Sequence, residues 1–297
     1  MNALSFLEAI REDPADDVPR LVFADWLEDE GDYDRAEFVR VQCELARGVR
    51  DRGRSVELLT RLRQLSEAHR EQWLGPLAEL APEAIFERGF VDTIRVSASL
   101  FLEHADAIFA HHPIRKVRLE RAHRILYEVA ACPHLAGLDA LDLQAEPLRD
   151  DGLAILGRCK HLGRLRSLEL PRIECTGEGV RALMERSAVA GLESLTLRHN
   201  PAMGNEGVAA IAGGLRHLRR LDLATTGIDD EGVEIIAAAP AFRELRFLRL
   251  MGNPLGYSAV ERLCEAFSQG SLEMLDMRGC VAGAERLRQR FGARVLV

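Results

Sequence analysis

Leu192-Glu193-Ser194-Leu195-Thr196-Leu197-Arg198-His199-Asn200 decides how the rest of the chain is read. Leu195 and Leu197 alternate with Ser194, Thr196 and Arg198, so two aliphatic chains go to one face of an extended segment and three polar ones to the other. Asn200 stands where the chain leaves that strand, and its amide can bond the backbone groups that a bend sets free. One stretch of the form L-x-x-L-x-L-x-x-N carries little weight, but this one recurs. Its second leucine falls at Leu141, Leu168, Leu195, Leu221, Leu248 and Leu275, at steps of 26 or 27 residues. Looser copies precede it around Val117 and Ile94, at steps of 24 and 23.

A second phrase repeats between the strands: Asp151-Gly152-Leu153, Glu178-Gly179-Val180, Glu206-Gly207-Val208 and Glu231-Gly232-Val233. Each opens an Ala/Leu/Ile-rich segment of helical period, and an acidic residue there meets the free N–H groups and the dipole of a helix start. One strand and one helix per repeat predict an α/β fold, a right-handed solenoid whose strands form a curved parallel sheet on its concave side. About eight strands are expected over residues 81–297. Ala293-Arg294-Val295-Leu296-Val297 reads as a last short strand that covers the end. Residues 86–297 resemble leucine-rich repeats of the ribonuclease-inhibitor type, although these repeats are shorter than that type's usual length.

The chain ahead of the repeats reads differently. Helical patterns run over 3–12, from Val18 to about Glu30, from Tyr33 to Arg47 and from Arg54 to about Trp73, with stops at Asp13-Pro14, Gly31 and Pro76. Residues 1–80 are therefore expected to form a small all-α N-terminal domain that caps the solenoid. The runs Phe6-Leu7-x-Ala9-Ile10-Arg11-x-Asp13-Pro14, Pro19 to Glu28 and Arg35 to Gln42 resemble a bacterial repeat-companion domain, a short segment that precedes leucine-rich repeats. That resemblance implies a bacterial source and an architecture. It implies no activity.

Charge narrows the function. The 297 residues carry a net charge of −8. Residues 1–50 hold 6 Arg against 13 Asp and Glu, so almost all of the excess lies there. A nearly neutral repeat region lacks the basic face of a general nucleic-acid binder, and no nucleic-acid partner is expected. No basic start with an apolar run marks a signal peptide, and no apolar stretch reaches the length of a membrane span. The six cysteines include no C-x-x-C, which points to reduced thiols and a cytoplasmic protein.

Catalytic motifs are missing: there is no G-x-S-x-G, P-loop or H-E-x-x-H. The acidic run Asp25, Glu28, Asp29, Glu30, Asp32 and Asp34 does not have calcium-loop spacing. Cys132-Pro133-His134 and Cys159-Lys160-His161 lie 27 residues apart and would stack in adjacent repeats. His217 holds the same place without such a cysteine, so a consensus histidine beside a small buried thiol accounts for the pair. No metal, cofactor or catalytic residue is expected.

The strand positions that face away from the core are more informative. In the early and middle repeats they are small and polar. In the last two they are Phe247 and Met274, with Met251 just after a strand and Arg220, Arg249 and Arg278 around them. Aromatic and methionine side chains ringed by arginine have the composition of an interface anchor. The sequence reading is a non-enzymatic adaptor, sensor or regulator that binds a protein partner on the concave face, with Phe247, Met251 and Met274 as apolar centre and Arg220, Arg249 and Arg278 as rim. The alternative is an inhibitor or activator subunit of an enzyme, or an enzyme with an unrecognised site. The sequence leaves the oligomeric state open.

Overall fold

A computed structural model describes residues 3–267, 272–280 and 283–297. Residues up to 96, with 103–117, form one compact unit; residues 97–102, with 118–297, form a second.

The first unit begins with helices α1 (Ala3–Glu12), α2 (Val18–Asp29), α3 (Tyr33–Arg47), α4 (Arg52–Leu74) and α5 (Leu77–Leu80). Asp32 and Asp51 start α3 and α4 by accepting the N–H groups of Arg35 and Arg54. Phe6, Ile10, Phe23, Leu27 and Val39 close into one apolar cluster with Phe90. Strands β1 (Ile85–Glu87) and β2 (Phe90–Ser97) then pair antiparallel across Arg88-Gly89. The sequence reading has one loose strand copy here, around Ile94; the structure folds the stretch into a hairpin. Arg88 at φ 51° and Gly89 at φ 90° make the two-residue turn with both central angles positive, whose twist matches that of the flanking strands. A side chain at Gly89 would lie 2.6 Å from Val39 Cγ2, so glycine is needed for space as well as for its angle. Gln42 on α3 holds the turn: its Nε2 donates to the Phe86 carbonyl at 3.2 Å, and its Oε1 accepts from Gly89 N at 2.7 Å.

Helix α6 (Ala98–Ala110) and strand β3 (Lys116–Glu120) each contribute residues to both units. The second unit continues with α7 (Leu126–Ala131), β4 (Ala140–Asp142), α8 (Arg149–Gly157), β5 (Ser167–Glu169), α9 (Gly177–Met184), β6 (Ser194–Thr196), α10 (Gly204–Gly214) and β7 (Arg220–Asp222). It ends with α11 (Asp230–Ala238), β8 (Phe247–Arg249), α12 (Tyr257–Ala266), β9 (Met274–Asp276), α13 (Ala284–Phe291) and β10 (Val295–Leu296). Strands β4 to β10 pair in parallel and in sequence order. Leu141, Leu168, Leu195, Leu221, Leu248 and Leu275 stand in one register and are each at most 2% exposed. Ten strands are assigned among the described residues; β1, split off by the turn, and the short β10 raise the number above the eight repeat copies in the sequence.

Two polar ladders tie each repeat to the next. On one, Asn200 and Asn253 are buried and bond the backbone of their own and the preceding repeat. Glu146 does the same work earlier, accepting from Arg121 N and, at 3.2 Å, from His123 N. The second ladder runs along the helix starts. Asp150 accepts from Thr176 N at 2.8 Å and Thr176 Oγ1 at 2.7 Å, Asn205 donates to Asp229 at 2.7 Å, and Asp230 accepts from Gly256 N at 2.6 Å.

This second ladder explains the glycine of the acid-Gly-aliphatic phrase at two of its four copies, Gly179 against Asp150 and Gly232 against Asn205. A Cβ on Gly179 would sit 2.8 Å from Asp150 Cα and 2.2 Å from its Oδ1. Alanine gains about 0.5–1 kcal/mol over glycine in a helix, while overpacking against fixed atoms costs ~1–3 kcal/mol. Because a backbone atom stands in the way, the clash wins. Gly179→Ala is expected to destabilise the second unit by about 1–2 kcal/mol. Gly213→Ala, where nothing lies within 4 Å, should stabilise it. Urea unfolding of the two variants checks the opposite signs.

Candidate protein-binding face

The residues that alternate with the leucine ladder form three rows on the opposite face of the parallel sheet. The first is Ala140, Ser167, Ser194, Arg220, Phe247 and Met274. The second is Asp142, Glu169, Thr196, Asp222, Arg249 and Asp276. The positions just past the strands, among them Arg198, Met251 and Arg278, make the third.

Four of the six residues singled out from sequence meet here. Phe247, Met274, Arg220 and Arg249 line a depression of about 200 Å³ together with Glu169, Ser194, Thr196 and Asp222. Met251 is half-buried and Arg278 exposed, and neither lines it. The arginines are not a free rim. Arg220 lies over the Phe247 ring at 4.1 Å from its centroid, a cation–π contact that covers one face of the aromatic. Arg249 spans two strands, bonding Asp222 at 2.8 Å and Asp276 at 3.1 Å. Arg278 takes the other side of Asp276, with contacts of 2.9 and 2.8 Å. Burial alone would raise the Asp276 carboxyl, but the Arg278 hydrogen bonds and the Arg249 charge reverse that and hold it below the ordinary carboxylate range.

Glu169 is the exception. Among the described residues its carboxylate has no hydrogen bond and no ion pair, whereas Asp142 pairs with Arg118 at 3.3 Å and Asp222 with Arg249. Burial, with the negative charges of Asp142 and Asp222, pushes its pKa above the ordinary value; Arg198 and Arg118, at longer range, offset only part of this. Arg198 also keeps a buried Nε with no hydrogen-bond partner among the described residues. The face therefore offers an apolar pair, Phe247 and Met274 on β8 and β9, and, three strands from Phe247 on β5, an unpaired carboxylate. Sequence reasoning did not single out Glu169. The available signal was the acidic second row, Asp142, Glu169, Asp222 and Asp276, in which only Glu169 has no arginine one repeat away in its own row.

The other candidate clusters are accounted for by local partners. In the acidic N-terminal run, Asp25 and Glu28 share Arg40, and Asp34 contacts His69 at 2.9 Å and Arg61 at 3.5 Å. The Cys159 thiol donates to the Ala130 carbonyl at 3.1 Å, and burial pushes its pKa up, the direction that keeps a thiol protonated. No group of three or more His, Cys, Asp or Glu is arranged to hold a metal among the described residues. None of the described helices is long and apolar enough to cross a membrane.

A family model described as a leucine-rich repeat matches residues 192–212 and 214–237, which cover β6 to α11. With the strand ladder and the asparagines above, this match supports leucine-rich repeats on the parallel sheet of this chain. It is similar to human NACHT, LRR and PYD domains-containing protein 5, with 29% identity over 177 residues, or 53% of this chain. The chain spans only 14% of that relative's length. Among solved structures, the crystal structure of the Rad7 and Elc1 complex in yeast matches 86% of this chain and 77% of its own at 15% identity, with a TM-score of 0.27.

Proposed function

We propose that the chain is a non-enzymatic protein-interaction module, and that its partner docks on the face formed by β5 to β9. A preordered sheet offers side chains at little ordering cost on binding. The partner in this reading sets an apolar side chain on Phe247 and Met274 and a separate basic side chain against Glu169, three strands and about 15 Å from Phe247. The observation that carries it is the unpaired Glu169 carboxylate in the same depression as that apolar pair, on a face whose other acids are matched to arginine. This revises the role of the arginines: Arg249 and Arg278 position Asp222 and Asp276, and Arg220 shields Phe247. The helical first unit, with its acidic segment, is the repeat-companion domain of this reading.

Glu169 makes the reading testable with two opposite effects. Its pKa is raised by folding, so the folded state holds the proton more tightly than the unfolded chain. Its ionisation therefore costs stability as pH rises from the ordinary carboxylate range through the raised value. Glu169→Gln should raise the unfolding temperature at pH 7 while weakening partner capture by about tenfold, the scale of one lost charge-assisted contact. Phe247→Ala/Met274→Ala should abolish capture. The measurement is pull-down from a lysate of the source cells, followed by titration of the captured protein. Equal capture by Glu169→Gln and by the double variant would remove this face from consideration.

A further inference from the structure

A second cavity is not on that face. It lies on the helical side of the second unit, where the C-terminal end of α8 passes α7, and has a volume of about 440 Å³, within the range of small-molecule sites. Its floor is apolar: Ala130, Ala131, Ile155 and the ring of Tyr127, which is 74% exposed and has no place in the core. Its lining also includes the cations Arg158 and Lys160, with His161 next to them in sequence. The Cys159 thiol bonds the Ala130 carbonyl across the floor and ties the loop to α7, so the shape is set before anything binds.

The cations stand out because their neighbours are paired. Arg149, Arg164, Arg166 and Arg181 each meet a carboxylate within 4 Å. Among the described residues Arg158 and Lys160 meet none, in a chain whose 47 acidic residues outnumber its 39 Lys and Arg. A positive group after a helix favours the dipole, and that accounts for Arg158, which caps α8. It does not account for Lys160 and His161 beyond the helix, or for an aromatic ring left open beside them.

We propose that this cavity is a binding site for a small anionic amphiphile: an aromatic or short alkyl body seated on Ala130, Ala131, Ile155 and Tyr127, with a carboxylate or sulfonate head between Arg158 and Lys160. Charge complementarity selects the head and the apolar floor selects the body. The site is separate from the sheet face, and neither depends on the other.

Fluorescence titration of the full chain with 8-anilinonaphthalene-1-sulfonate tests it. The expected result is saturable binding of one dye per chain, weakened about tenfold in Arg158→Gln/Lys160→Gln, as for loss of the charged contacts to the head. Ala131→Trp, which fills the floor and leaves the charges in place, should abolish it. Decanoate should displace the dye, and the uncharged N-phenyl-1-naphthylamine should bind the parent chain more weakly than the sulfonate does. Circular dichroism confirms that each variant is folded. No saturable binding, or the same binding in the charge-neutral variant and in Ala131→Trp, would overturn the proposal.

Discussion

Asn200→Ala is expected to cost the repeat unit about 3–5 kcal/mol, the scale of several buried backbone groups left without partners. Asn200 is fully buried. Its Oδ1 accepts from Ile173 N at 2.9 Å, and its Nδ2 donates to the Leu170 carbonyl at 3.1 Å and the Leu197 carbonyl at 2.7 Å. One side chain thus serves three main-chain groups on two repeats, at the bend where no strand partner exists. Water cannot take over in a site with no exposure. Asn200→Asp should be no better, because it keeps the acceptor for Ile173 and sets an oxygen against two carbonyls.

The same position in later repeats grades the effect. Asn253 makes an equivalent set of three bonds, with Thr226 N, Leu223 O and Leu250 O, and Asn253→Ala should cost as much. Thr226 makes one side-chain bond, to the Leu223 carbonyl at 2.7 Å, so Thr226→Val should cost ~1 kcal/mol. Urea unfolding of the three variants measures the order. A loss under about 1 kcal/mol for Asn200→Ala would mean that the bend finds other partners.

How far such features can be read from sequence depends on whether they repeat. A residue recurring every 26 or 27 positions is brought beside its own copies by the solenoid, so the leucine ladder, the outward rows and the bonding role of Asn200 were all legible. The glycine of the second phrase was visible as a repeat but not as a cause, since the reason for Gly179 is the approach of Asp150 from the neighbouring repeat. Charge pairing was less legible. Spacing puts Arg249 between Asp222 and Asp276, but whether the guanidinium lies down on those acids or points outward is a rotamer choice that spacing does not determine. The hairpin at Arg88-Gly89 was hidden for another reason: arginine is outside the Asn, Asp and Gly set that signals this turn, and Gln42, which secures it, comes from a helix more than forty residues earlier. Where nothing repeats, a single side chain's surroundings come only from tertiary structure.

His112 is such a side chain, and acid is expected to destabilise the unit that contains it well before its carboxylates titrate. Burial, reinforced by the Arg35 charge and by His111, lowers its pKa to about 3. The ring is 5% exposed, with Phe86 edge-on at 6.1 Å and Nδ1 accepting from Val91 N at 3.4 Å. The native state therefore keeps His112 neutral, while an unfolded histidine takes up a proton near pH 6.5. Between those values the unfolded state holds more protons, so stability rises with pH and is lost as pH falls. At about 1.4 kcal/mol per pH unit, the loss reaches ~2 kcal/mol at pH 5, above the range where most carboxylates protonate. His112→Gln keeps an acceptor for Val91 N and has no proton to gain, so it should be less stable at pH 7 and nearly flat from pH 6.5 to 5. Both tryptophans, Trp26 and Trp73, lie in this unit, and intrinsic fluorescence during urea unfolding reports on it selectively. Parallel pH slopes for the parent and His112→Gln would assign the acid sensitivity to other groups.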